Sequence, residues 1–130
     1  MKTKVRVVLM ILLFAMGVVV ASAEVLPLSS TSFRDVKIVF GSTGNATFSA
    51  SLDHRCATIS VTSCVLEKMV GGIWEFEETL SCPESVTNAM RYTKVKNYSS
   101  SLITGVSYRI IAVFDADGEI MTVTSGTITY

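Results

Sequence analysis

The sequence is short of the residues that most enzyme chemistry needs. Its 130 residues hold one histidine, His54, one tryptophan, Trp74, three cysteines and two prolines. Beyond residue 23 no segment approaches the roughly 20 apolar residues that carry a helix across a bilayer. No stretch there keeps a helical apolar stripe for three turns, and the best helical candidate, Glu84 to Tyr92 after Pro83, is short and rich in Ser, Thr and Asn. Cys56, Cys64 and Cys82 are separated by eight and eighteen residues, a spacing that matches no compact zinc pattern, so neither a metal nor a cofactor is expected. No cysteine follows the N-terminal apolar run, which argues against a lipid anchor.

What the N-terminus does contain is an export pattern. Lys2, Lys4 and Arg6 precede an uncharged apolar run from Val7 to Val20 and the small triplet Ala21-Ser22-Ala23. This is the layout of a secretory signal peptide cleaved after Ala23. A helix of that run spans about 21 Å, too little for a hydrocarbon core of about 30 Å. The expected organisation is a signal peptide at 1–23, a flexible mature N-terminus at 24–34 and a β-domain at 35–130, secreted or loosely wall-associated, without stable membrane insertion after processing. Eight basic and eleven acidic residues follow residue 23, a formal charge of minus three. A weakly acidic domain has no general attraction for nucleic acid or anionic lipid.

An oxidising compartment permits one disulfide among Cys56, Cys64 and Cys82 with one thiol left over. Three pairings are open, and a bond that includes Cys82 is favoured because Cys82 ends one strand while the others lie before or within the preceding one.

From Thr31 onward, short apolar or β-branched runs alternate with polar turns. The expected strands are 36–40, 46–52, 57–69, 73–80, 91–98, 106–114 and 120–130, which read as two packed antiparallel sheets. Gly71-Gly72 supplies the positive dihedrals of a tight hairpin turn. In the outgoing arm, period-two alternation puts Trp74, Phe76 and Leu80 on one face, the expected core, and Glu75 and Glu77 on the wet one. Burial of Trp74 implies that its truncation costs about 3 to 5 kcal/mol. On the incoming arm the register is open between Val65 and Leu66, with Leu66 the expected core residue.

Candidates for chemistry are few. Glu75, Glu77 and Glu78 read as a solvated acidic strand, which discourages unwanted sheet pairing. His54 stands between Asp53 and Arg55, two residues before Cys56, with no third group visibly orienting its ring. Asp115-Ala-Asp117-Gly118-Glu119 has oxygens at alternating positions, as a calcium loop does, but is too short to enclose an ion and fits a hairpin turn at Asp117-Gly118. Asn45-Ala-Thr47 and Asn97-Tyr-Ser99 are glycosylation acceptors if the secretory route is eukaryotic.

Leu102, Gly105 and Tyr108 stand at the offsets L-x-x-G-x-x-Y. This resembles the corner before the F strand in fibronectin type III and immunoglobulin-like sandwiches. The resemblance implies that Leu102 fills the core, Gly105 allows the turn and the Tyr108 hydroxyl bonds back to the preceding chain. It also implies an all-β, immunoglobulin-like antiparallel β-sandwich of about seven strands. The order Leu66-Glu67-Lys68, Gly71-Gly72, Trp74, Gly105, Tyr108-Arg109 and the closing Ser125 to Tyr130 is similar to a group of small secreted, uncharacterised proteins of Gram-positive, clostridia-like bacteria, which implies a secreted bacterial β-domain.

These features point to a noncatalytic extracellular module binding a protein or glycan, with Tyr92, Tyr98, Asp115 and Asp117 as candidate contacts because tyrosines give rigid amphipathic area. Cys56, Cys64, Cys82, Leu66, Trp74, Phe76, Leu102, Gly105 and Tyr108 are the expected structural residues. The alternative is a small extracellular hydrolase using a Cys-His pair. A toxin or bacteriocin-like peptide, the third class, needs a compact disulfide scaffold or an amphipathic membrane-active stretch, and neither is evident.

Overall fold

Alternation of β-branched and aromatic residues with Ser, Thr and charged ones commits the chain to extended structure. The computed structural model describes residues 32–130. They form seven strands: β1 (Phe33–Phe40), β2 (Asn45–Val70), β3 (Ile73–Thr79), β4 (Val86–Asn97), β5 (Ser107–Ala116), β6 (Glu119–Thr124) and β7 (Ile128–Thr129). Every pairing is antiparallel. The expected signal peptide and residues 24–31 of the expected flexible N-terminus lie outside the described residues. Phe33 and Arg34, expected in that flexible segment, already belong to β1, where Phe33 reaches the core.

The 26-residue β2 organises the domain. Straight, such a strand would reach about 86 Å, whereas a domain of this size has a radius of gyration of about 13 Å, so it must bend. The bend falls at Leu52 to Arg55, where the pairing with β4 jumps from Ser51 opposite Arg91 to Cys56 opposite Ala89, leaving four residues of β2 against Met90 alone. Such bulges bend a strand and raise its twist. Before the bend β2 lies between β1 and β4; after it β5 takes the side of β1, and the other side passes from β4, which ends opposite Ile59, to β3, which starts opposite Val65, with β6 and β7 beside β5. This strand adjacency is like that of immunoglobulin and fibronectin type III domains. The expected pair of separate sheets is instead one sheet of seven strands curled into a half-barrel, because β2 stays extended through the segment that sequence assigns to a turn and resumes its pairing with β4 beyond it.

The inner face of the curl holds the core. Phe48 of β2 packs at 6.4 Å from Phe114 of β5, which in turn meets Tyr92 of β4 edge to face at 6.1 Å. Ala46, Ile59, Leu66, Tyr108 and Ile110 are fully buried around them. The best helical candidate, Glu84 to Tyr92, holds no helix and runs into β4 from Val86. It is held from the core side, because the buried Tyr92 hydroxyl donates to the Glu84 carbonyl at 2.7 Å.

At the corner before β5, a 3-10 turn at Ser99–Ser101 leads to the buried Leu102. The Tyr108 hydroxyl accepts the Ile103 N–H at 2.9 Å, tying the start of β5 to the chain before it. Gly105 has φ +89°, the left-handed region that favours glycine. The expected final strand breaks at Ser125, whose buried hydroxyl accepts the Ile110 N–H at 2.9 Å and donates to the Gly126 carbonyl.

The expected disulfide is not present: all three cysteines are free thiols, and no two approach bonding geometry. Cys64 is turned into the core, with Sγ 3.8 Å from the Tyr98 hydroxyl, and Cys56 is spent at the bend, with Sγ 3.7 Å from the His54 carbonyl. Burial pushes the Cys64 thiol up to about 11.

Candidate functional site

The outer face of the curl is shaped by one extra residue. The hairpin turn at Gly71-Gly72, with φ +59° and +83°, pairs Val70 with Ile73, Met69 with Trp74, Lys68 with Glu75 and Glu67 with Phe76. The next pair is Leu66 with Glu78, so Glu77 is a bulge. An inserted residue reverses the side on which later side chains emerge. Trp74 and Phe76 therefore share the outer face with Met69 and Glu67, while Leu80 turns into the core beside Cys64, to whose carbonyl its N–H donates. The expectation that Trp74, Phe76 and Leu80 lie on one buried face holds only for Leu80: Trp74 is half-buried and Phe76 is 62 % exposed. The open register resolves with Leu66 inside and Val65 outside.

Across the outer face β5 brings Arg109 opposite Glu67. Its Nε and Nη2 both donate to Glu67 Oε1, at 2.8 and 2.7 Å, and its guanidinium lies 4.4 Å from the centroid of the Trp74 ring. The carboxylate fixes the guanidinium and the guanidinium covers one face of the indole. Around this group stand Phe76, Met69 and Ile111, exposed or half-buried. Sequence reading singled out Trp74 but placed it in the core. The signal for Arg109 is its alternation with the apolar Tyr108 and Ile110, which marks it as outward-facing.

The four candidate contacts fall elsewhere. Tyr92 and Tyr98 are 1 % and 4 % exposed, and their hydroxyls donate to the carbonyls of Glu84 and Ser81 at 2.7 and 2.6 Å. Their rings fill the core and leave no area for a partner. Asp115 and Asp117 serve the β5–β6 turn. Asp115 Oδ1 accepts the Gly118 N–H at 2.8 Å, and the Asp117 carboxylate accepts the N–H groups of Ala57 and Thr58, both at 2.9 Å. Those two hydrogen bonds hold the Asp117 carboxyl below its ordinary range. The turn thus clasps β2 just past its bend.

The bend also aligns Asp53, His54 and Cys56. His54 Nδ1 lies 2.5 Å from Asp53 Oδ1, and its Nε2 3.8 Å from Cys56 Sγ. Asp53 is the orienting group that was not visible in the sequence. The order of atoms is that of an orienter, a base and a nucleophile, but the surroundings oppose it. Cys56 is 1 % exposed, and its thiol is pushed up by burial and by the negative charges of Asp117, Asp53 and Glu119. An activated thiol needs the opposite shift. Among the described residues no group of three His, Cys, Asp or Glu side chains could hold a metal ion. The Asn45 and Asn97 amides lie side by side, Asn97 Nδ2 donating to Asn45 Oδ1 at 2.8 Å.

Among known proteins, no family model, curated protein or solved structure matches this chain. The likeness to fibronectin and immunoglobulin domains therefore stands on strand adjacency and the corner before β5.

Proposed function

We propose that the chain is an exported, noncatalytic β-domain of the immunoglobulin-like sandwich class that binds an extracellular protein through the outer face of β3, β2 and β5. The observation that carries this reading is the Glu67–Arg109–Trp74 stack beside the exposed Phe76. A fixed guanidinium and two aromatic rings on a rigid sheet form the kind of anchor that dominates protein interfaces. A glycan is the second occupant of the same face, using the Phe76 ring as its platform. Among the described residues no helix is long and apolar enough to cross a membrane.

The test is binding of purified extracellular proteins and an immobilised glycan panel to the wild type and to Trp74→Ala and Phe76→Ala. A partner retained by the wild type and weakened about tenfold or more by either change supports the face. Equal binding by all three proteins places the contact elsewhere. The hydrolase alternative has one observation in its favour, the Asp53–His54–Cys56 alignment. It requires Cys56 in the folded protein to react with iodoacetamide faster than an unfolded thiol, whereas the buried, raised thiol should react more slowly.

A further inference from the structure

Among the described residues β3 and β4 each pair only with β2, so each presents an edge that no described strand covers. At Ile59, β2 is flanked by β4 and β5, and at Leu66 by β3 and β5. With β5 on one side throughout, β3 and β4 both line the other, and their free edges share one flank of the sheet. In an antiparallel ladder every second residue turns its N–H and C=O away from its partner, and an open edge is a template for another strand.

The two edges have opposite charge. β3 carries Glu75, Glu77 and Glu78, and the Glu75 carboxylate has no hydrogen bond or ion pair among the described residues. β4 carries Arg91, Lys94 and Lys96, none of them in an ion pair among the described residues. Their side chains are also sorted by face. Glu75 lies opposite Lys68, on the side of Leu66, and Lys94 and Lys96 lie on the side of Tyr92, so both sets belong to the inner side of the curl. On the outer side, Phe76 of β3 is 62 % exposed and Val95 of β4 is 60 % exposed. A groove of about 210 Å³ lined by Pro83, Glu84, Lys94, Val95 and Lys96 runs along the β4 edge.

We infer that the β3 edge of one copy of this protein pairs with the β4 edge of a second copy. Placing Phe76 opposite Val95 sets Glu75 and Glu77 opposite Lys96 and Lys94 in the antiparallel sense, and opposite Lys94 and Lys96 in the parallel sense. Either direction joins apolar to apolar on one face and acid to base on the other. Pairing of like edges sets glutamates against glutamates or lysines against lysines, which destabilises a sheet. The edges thus select each other over themselves. Glu84 is the one acidic residue lining the groove, beside Lys94 and Lys96.

The test is sedimentation velocity of the purified wild type over a wide concentration range, alone and with added salt, beside Glu75→Lys/Glu77→Lys and Lys94→Glu/Lys96→Glu. The wild type should associate, and added salt should weaken it. Each charge-reversed variant should lose about tenfold or more in association, and an equimolar mixture of the two should recover it. Since Glu77 also pairs with Lys68, the single Glu75→Lys serves if the double variant melts at lower temperature. Hydrogen exchange supplies a readout independent of charge: amides on β3 and β4 should gain protection with concentration while β6 amides do not. A wild type that stays monomeric throughout, variants that associate as it does, or a mixture that fails to recover would each overturn the inference.

Discussion

The hairpin of β2 with β3 and the corner between β4 and β5 each carry two aromatic residues, and only the corner buries both. Tyr98, Leu102 and Tyr108 are all inside, while at the hairpin Trp74 is half-buried and Phe76 stands in solvent. The residue types do not explain this. The corner is fixed by a side chain returning to its own backbone, Tyr108 to Ile103, which admits only one placement of the ring. The hairpin is fixed by a turn and a bulge, and the bulge at Glu77 exchanges the two faces for everything on its turn side. Burial follows parity, and one inserted residue changes parity at no cost in composition.

The sharpest way to break this comparison is to truncate a ring of each kind. Phe48→Ala, inside the curl against Tyr98 and Phe114, is expected to cost about 3 to 5 kcal/mol in reversible denaturation. A cost below about 1 kcal/mol would mean that the inner face is not the core.

The buried thiol of the core should also cost the domain stability in alkali. A free thiol titrates near 8.5, and burial lifts Cys64 to about 11. A group whose native value is raised stabilises fully below its unfolded value, and that stability is lost as pH rises through the native one. Stability should therefore fall between about pH 8.5 and 11, by up to about 3 kcal/mol from this group. Tyr92, pushed up to about 12 by burial, extends the fall at higher pH. Cys64→Ala should flatten the first part of that limb in denaturant melts recorded across the range. In the same experiments a thiol reagent should count three thiols on unfolding, with Cys82 reacting first in the native state because it alone is not fully buried.

Tyr108→Phe isolates the corner. It strips the Ile103 N–H of its acceptor while keeping the ring, and an unsatisfied part-buried amide costs about 1 to 3 kcal/mol. A loss near zero in chemical denaturation would show that water replaces the hydroxyl and that the corner is held by packing alone.

Much of the fold was legible because its signals are local. The turn at Gly71-Gly72 and the turn at Asp117-Gly118 follow from dihedrals that few residues accept, and both carry positive φ as expected of hairpin turns. What was illegible is what depends on register with distant strands. Asp53-His54-Arg55 reads as a polar turn, yet β2 continues through it because Met90 across the ladder can be bypassed and Arg55 donates to the Asn88 carbonyl at 2.7 Å. The bulge at Glu77 leaves only a faint trace in the sequence, the charged Glu78 that follows Glu77 on the parity of Trp74, Phe76 and Leu80. Asp117 looks like a ligand for a cation until its two backbone donors, about sixty positions away, are seen. The candidate surface was missed for the same reason as the bulge.

On the outer face the coupling between Trp74 and Arg109 sharpens the comparison further. A double-mutant cycle of Trp74→Ala and Arg109→Ala should give about 0.5 to 1 kcal/mol, the size of an exposed cation–π contact. Trp74→Ala alone should fall well short of the 3 to 5 kcal/mol due to a core aromatic. Coupling near zero would mean that Glu67 alone positions the guanidinium.

The smallest effect on stability separates folding from recognition most cleanly. Phe76→Ala removes a ring that is 62 % exposed and makes no ring contact in the core, so its stability should stay within about 0.5 kcal/mol of the wild type. The same ring stands on the proposed binding face and on the β3 edge, so association and partner binding should weaken where the melt does not move. If Phe76→Ala melts like a core variant, the face is closed by something that buries the ring. If it leaves melting, binding and association all unchanged, Phe76 is a solitary surface aromatic of the kind any soluble protein carries.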